Sequence, residues 1–190
     1  MVNSFTYAIF KPFLHKEKII DRYIDRFSCK GKNGKIYAFA LLVKHSTATG
    51  YVNGLLTRGE FLCMSIQYYK TPHRYARDNV LFAFFFREDS TKDWQLNDEF
   101  DIKMEERNFR YLNPTAGLFL KNNGLGSQVY KKFEKEAKKF GIKELRMNLS
   151  TVDAQPENLE LRNYFWKKMG FNVYSFPDGH GYIYKKLKQS

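Results

Sequence analysis

Residues 120–142, LKNNGLGSQVYKKFEKEAKKFGI, constrain this chain more than any other stretch, because they mark both ends of a helix. Leu125, Val129, Phe133 and Ala137 recur every fourth residue while lysines and glutamates fill the opposite face, the pattern of a helix that buries one stripe. Gly141 supplies a C-cap, and Ile142 is placed to fold back over the last turn in a Schellman motif. At the other end, KNNGLGS leads into a first turn whose N–H groups have no internal partner and whose aligned peptide dipoles leave partial positive charge. Two readings of the glycines stay open. One is a strand-to-helix turn in which Gly and Asn tolerate positive φ. The other is a phosphate cradle, in which Gly124 and Gly126 let the loop curl, bring no Cβ between an anion and the backbone, and leave Lys121 as an added cation. The pattern is neither the GxGxxG of a dinucleotide site nor a Walker loop ending in Gly-Lys-Ser/Thr.

The segments that follow this helix alternate with it in type. KELRMNLS places Leu145, Met147 and Leu149 on one face of a strand. ENLELRNYFWKKM predicts a second helix ended by Gly170, and FNVYSF and GYIYKKL joined by PDGHG predict a closing hairpin. The C-terminal order is therefore strand, helix, strand, helix, strand, strand. Upstream, NVLFAFFFRE is rich in strand-forming aromatics and EDSTKD is a polar turn. EFDIKMEE alternates strictly and predicts a hairpin arm, and Pro114 interrupts pairing within NFRYLNPTAGLFLK.

Nearer the N-terminus, KEKIIDRYIDRF spaces Ile19, Ile20, Tyr23, Ile24 and Phe27 at helical intervals, which predicts an amphipathic helix. SCKGKNGK is the strongest break in the chain, two glycines among lysines, and predicts a mobile loop. KIYAFALLVKH after it predicts a buried strand. Residues 46–78 fit helices and strands equally.

A chain of 190 residues, 43% hydrophobic and 17% aromatic, buries a core of its own, and without linkers or repeats it is expected to be one domain, 1–190. The formal net charge of +12 predicts attraction to a polyanion: a phosphorylated cofactor, nucleic acid or an anionic surface. Cys29 and Cys63 have neither metal-ligand spacing nor the density of a secreted scaffold, and MVNSFTYAIFKPF lacks a long apolar leader. These features predict a cytoplasmic protein, with no membrane partner and no metal.

Two segments carry a family resemblance. KNNGLGSQVYKKFEKEAKKFGI resembles motif A of the GCN5-related N-acetyltransferases, whose signature is Gln/Arg-x-x-Gly-x-Gly/Ala, and NLELRNYFWKKMGF resembles their motif B. The likeness covers residues 79–190, with the spacing of the two motifs and the closing hairpin in place; residues 1–78 are atypical. The implied fold is α/β (α+β): a mixed, mostly antiparallel, twisted sheet with helices on both faces and splayed central strands. The implied donor is acetyl-CoA, its pyrophosphate held by the backbone of Asn122, Asn123, Gly124, Leu125, Gly126 and Ser127. Lys121 stands at the usual Gln/Arg position, and Phe119 and Leu120 belong to the strand that enters the loop. Leu112-Asn113-Pro114 resembles the family's Val-x-Pro; either the loop carries an insertion or the acyl-lining strand is Ala116 to Leu120. Asn158 either contacts the pantetheine arm or caps the second helix.

The implied activity is transfer of an acetyl group to a primary amine, the acceptor being a small molecule, a protein or an RNA-linked amine, in a monomer or homodimer. The catalytic groups are less marked. Many members carry a tyrosine where Trp166 stands here, and an indole cannot protonate a thiolate; Tyr164, nearby, is a candidate acid or else packs the core with Phe165 and Trp166. Glu105 and Glu106 are candidate bases or else a solvated strand face. A neutral amine needs positioning and a polarised carbonyl more than a strong base. The alternative is a nucleic-acid-binding or regulatory protein on the same fold, suggested by the net charge and by Lys131, Lys132, Lys135, Lys138 and Lys139 on the first helix.

Overall fold

Runs of β-branched and aromatic residues in the first half of the chain pair with one another into long antiparallel ladders. The computed structural model describes residues 14–52, 55–69, 77–96, 123–149 and 156–188. Strands β1 (Leu14–Lys30), β2 (Ile36–Val52), β3 (Leu55–Tyr69), β4 (Arg77–Arg87) and the two-residue β5 (Gln95–Leu96) form one sheet in sequence order. Helix α1 (Leu125–Lys139), strand β6 (Glu144–Leu149), helix α2 (Pro156–Lys168) and strands β7 (Asn172–Ser175) and β8 (Gly181–Lys186) follow, the last three strands forming a second sheet in the order β6-β8-β7. Every strand pairing among the described residues is antiparallel. The protein is thus mixed, mostly antiparallel α+β with two described helices.

The first element corrects the sequence reading. KEKIIDRYIDRF is not a helix but the body of β1, paired from Leu14↔Gly50 to Lys30↔Ile36 with β2. Tyr23, Phe27 and Cys29 alternate toward the main core, whereas Ile24, Arg26 and Ser28 are exposed. β1 ends the described sheet, and an end strand is guarded against further pairing by charged side chains. Those charges, interleaved with isoleucines, imitate the two faces of an amphipathic helix. SCKGKNGK is the hairpin turn between β1 and β2, closed by Gly31 N–H to Lys35 O at 2.8 Å and Gly34 N–H to Gly31 O at 2.9 Å, with Gly34 at φ +78°. The ambiguous residues 46–78 are strand wherever they are described, in β2, β3 and the start of β4.

The helical reading of 125–139 holds, with Leu125, Val129, Tyr130, Phe133 and Ala137 buried. Its C-terminus is the expected Schellman motif: Ile142 N–H reaches Ala137 O at 3.2 Å, Gly141 N–H reaches Lys138 O at 2.9 Å, and Gly141 has φ +74°. β6 buries Leu145, Met147 and Leu149 alternately as read. Gly170, at φ +84°, closes α2 with the same pair of bonds, Phe171 N–H to Trp166 O and Gly170 N–H to Lys167 O. The closing hairpin β7–β8 is present, with β8 between its two partners.

One core joins these layers. Phe39, Leu41, Leu62, Met64 and Phe85 of the first sheet, the buried stripe of α1, Met147 and Ile183 of the second sheet, and Trp166 of α2 belong to a single cluster. α1 is its centre, and at about 25 cal/mol per Å² of apolar surface removed from water, this shared burial holds the two sheets to one helix. A smaller cluster, with Phe61, Cys63, Phe84 and Phe86, occupies the other face of the first sheet. The expected EFDIKMEE hairpin arm and the NFRYLNPTAGLFLK segment lie outside the described residues.

Candidate functional site at the N-terminus of α1

α1 lies along β1 in the opposite direction. Glu136 accepts from the Tyr23 hydroxyl, Lys132 pairs with Asp25, and Gln128 Nε2 donates to Lys30 O at 2.9 Å. This alignment delivers the helix N-terminus to the β1–β2 turn. There Asn123, buried, is fixed three ways: its carbonyl accepts from Lys32 N–H at 3.1 Å, its Oδ1 from Asn33 N–H at 3.1 Å, and its Nδ2 reaches the Tyr37 hydroxyl at 3.3 Å. Gly31 permits the approach, since a Cβ there would lie 2.6 Å from Asn123 Nδ2. The turn and the helix start form one docked unit.

Gly124 is the N-cap, held at φ +75°, a left-handed conformation in which an ordinary side chain costs about 1–2 kcal/mol. Among the described residues no side chain caps the helix, and its first turn contains no acidic residue. The orphan N–H groups of that turn therefore face no carboxylate of their own helix, so the first turn itself does nothing to neutralise the positive end of the dipole. Lys32 adds to this charge: its aliphatic stem lies 3.8 Å from where a Gly124 Cβ would be. Leu125 is anchored in the core, while Gly124, Gly126 and Ser127 are half-buried. The elements available to an anion are main-chain amides at a fixed helix end, a missing Cβ, and a neighbouring ammonium group.

The other expected site residues distribute unevenly. Phe119, Leu120, Lys121, Asn122 and Glu105, with Glu106, lie outside the described residues. Asn123 turns its side chain to the hairpin rather than towards an anion. Asn158 lies in the first turn of α2, and its side chain is outside the described residues. Trp166 is core: it meets Tyr130 and Phe171 edge-on, with ring centroids 6.2 and 5.1 Å apart. Phe165 packs beside it, but Tyr164 is 65% exposed, so the core reading of that tyrosine is corrected. Sequence reasoning missed Lys32, Asn33 and Tyr37. The signal was SCKGKNGK, which read as a loop without a destination.

Of the five α1 lysines, Lys132 pairs with Asp25, Lys138 with Glu134 at 3.0 Å and Lys139 with Glu136 at 3.1 Å. Glu134 also holds Lys185 at 2.6 Å; burial pushes its carboxyl up, but the bonds from Lys185 and Lys138 outweigh that and hold it below the usual range. The stripe is thus largely neutralised.

At the opposite end of α1 the polar groups close on each other. Glu60 Oε2 lies 2.8 Å from His45 Nε2 and 2.7 Å from Arg87 Nη2, and the Arg87 guanidinium stacks 4.3 Å from the Trp94 ring centre. Trp94 donates its indole N–H to Phe140 O at 2.9 Å. Burial raises the Glu60 pKa, but the hydrogen bonds from Arg87 and His45 more than reverse this and hold it below the ordinary carboxylate range.

No helix among the described residues is long and apolar enough to cross a membrane. Comparison with protein-family models, curated proteins and solved structures finds no match to this chain.

Proposed function

We propose that the protein is an acetyl-CoA-dependent N-acetyltransferase that acts on a primary amine. The observation that carries this reading is the start of α1: a left-handed glycine cap, a first turn with neither a side-chain cap nor an acid, and Lys32 alongside. A diphosphate satisfies orphan N–H groups and the helix dipole together. The order of elements from α1 onward and the two Schellman-closed helices agree with the motif resemblance.

In this reading the amides of Gly124 to Ser127 grip the diphosphate of the donor and so fix its thioester relative to the acceptor. The neutral amine attacks the thioester carbonyl carbon, the tetrahedral intermediate collapses with loss of the thiolate, and the proton released by nitrogen ends on sulfur, leaving an amide and CoA thiol. Fixing the two reactants together supplies much of the rate. Trp166, enclosed in the core, takes no part in proton transfer. Tyr164, exposed on α2, is the tyrosine left as a candidate acid. The nucleic-acid alternative draws little support from α1, where three of the five lysines, Lys132, Lys138 and Lys139, are held in ion pairs.

Thermal denaturation with acetyl-CoA tests the reading. A ligand at 100 times its Kd stabilises by about 2.7 kcal/mol, which raises Tm by about 5–10 °C for a chain of this size. Thiol release on adding amine acceptors then measures turnover. No Tm shift at millimolar acetyl-CoA overturns the proposal.

A further inference from the structure

The second sheet buries one face and leaves the other to solvent. Its inner residues, among them Leu145, Met147 and Ile183, belong to the core. On the outer face, cross-strand register sets Asn148, Tyr182 and Tyr174 in one row and Arg146, Tyr184 and Asn172 in the next. Tyr174 and Tyr182 stack with ring centroids 4.5 Å apart and planes within 19°, and the Arg146 guanidinium lies 5.0 Å from the Tyr182 ring centre. A 4.5 Å ring spacing is close to the distance between neighbouring strands, so the two rings stand upright on the sheet, face to face. Arg146, Tyr182 and Tyr174 form a column across β6, β8 and β7. β7 ends this described sheet, and Tyr174 is 46% exposed, so the far face of its ring looks past the sheet edge. Phe176, 55% exposed, is two residues along.

Among the described residues of this face two cations, Arg146 and Lys186, stand against one carboxylate, Glu144, which is opposite Lys186 in the β6–β8 register. Glu144 accepts from the Tyr184 hydroxyl at 2.9 Å, and Asp178 is held by His180 at 3.0 Å. Arg146 and Lys186, both exposed, join no ion pair among the described residues. An aromatic surface that ends in an exposed ring face and carries one more cation than acid suits a flat, electron-rich ring joined to phosphates.

We propose that this face binds single-stranded nucleic acid, with a nucleobase continuing the Arg146–Tyr182–Tyr174 column on the open face of Tyr174 and the strand running back over the sheet, so that phosphates further along it reach Arg146 and Lys186. Base stacking on an aromatic side chain tolerates any base, so the site selects single strands over sequence. It is separate from the start of α1, and it stands whether or not the acetyltransferase reading does.

Fluorescence anisotropy with labelled ten-nucleotide strands of U and of A, at low salt, tests it. The wild type binds both more tightly than an abasic strand of the same length, and neither UMP nor AMP displaces them at matched concentration. Removing one stacked ring weakens binding by about 5- to 150-fold, so Tyr174→Leu loses that much while Tyr174→Phe stays near wild type. Arg146→Gln lowers the slope of log affinity against log salt by about 0.7. Melting curves of the free variants establish that each is folded; Tyr174→Phe against Tyr174→Trp, both aromatic, supplies the comparison if Tyr174→Leu does not fold, with the larger ring binding more tightly. The proposal is overturned if the wild type does not bind strands, if abasic and base-bearing strands bind alike, or if ring size and ring loss at 174 leave affinity unchanged. A face that instead takes an extended peptide gives the first of these results.

Discussion

The two ends of α1 are built on opposite principles. At the C-terminal end polar groups partner one another internally: the last turn closes in a Schellman motif, Trp94 takes the Phe140 carbonyl, and Glu60 is shared by His45 and Arg87. At the N-terminal end no side chain among the described residues caps the first turn, and glycine and lysine stand there. Both ends are fixed to the same sheet, one by the 45/60/87/94 cluster and the other by the hairpin turn at Gly31. What differs is whether the terminal dipole charge is answered from within. A closed end contributes stability, and an open end held by a rigid scaffold is suited to a ligand.

The largest effect expected from breaking this contrast is at Gly124. Gly124→Glu places a carboxylate where the diphosphate is proposed to lie. The left-handed conformation costs about 1–2 kcal/mol, partly offset by about 0.3–1 kcal/mol from a negative charge at a helix N-terminus. Among the described residues space is not the obstacle, since the nearest atoms to a new Cβ are those of Lys32 at 3.8 Å. The expected outcome is a folded protein whose Tm no longer responds to acetyl-CoA. Gly124→Ala, with the strain but not the charge, retains a reduced response. Equal responses in Gly124→Glu and wild type would remove the cradle from the account.

At the closed end, Glu60→Gln takes the charged partner from Arg87. Breaking a buried ion pair costs roughly 3–5 kcal/mol, and because water still reaches this cluster about 2 kcal/mol is expected, read by urea denaturation at pH 7. The pH dependence carries a sign. Because the folded-state pKa of Glu60 is lowered, its contribution is present in full above the unfolded value, about 4.3, and is lost as pH falls through the folded value. Wild-type stability should therefore fall more steeply below about pH 4.3 than that of Glu60→Gln. Curves that stay parallel into acid would show that Glu60 is not the titrating group. Trp94→Phe keeps an aromatic ring but removes the N–H to Phe140, an expected loss of about 1 kcal/mol.

How much of this contrast was legible in the sequence depended on range. α1, α2, β6 and the closing hairpin were legible because caps, periods and turns are local: Gly141 and Gly170 sit where the last turn needs them. β1 was not, because Ile19, Ile20, Tyr23, Ile24 and Phe27 satisfy a helical spacing as well as a strand, and nothing local shows that Asp25 awaits Lys132 from a helix more than a hundred residues on. Strand propensity is decided by such neighbours. The same distance hid the hairpin half of the site. Gly124 and Gly126 announced an unusual helix start, whereas Lys32 and Asn33 reach it only through the register of β1 against β2.

The smallest expected effect is the most diagnostic, because its two readouts move apart. Lys32 lies beside the positive end of a helix dipole, an unfavourable place for a cation in the free protein. Lys32→Ala should therefore leave the unliganded Tm unchanged or raise it slightly, by about 1 °C at most given its solvent exposure. With acetyl-CoA the sign reverses: losing one cation near the phosphates weakens binding by about 2- to 5-fold, and 1 M salt erases the difference because charges are screened beyond about 3 Å. A purely structural Lys32, its stem merely packing on Gly124, predicts instead a lower unliganded Tm and a salt-independent affinity. The same two titrations, with and without ligand, decide between a turn that shapes the helix end and one that also charges it.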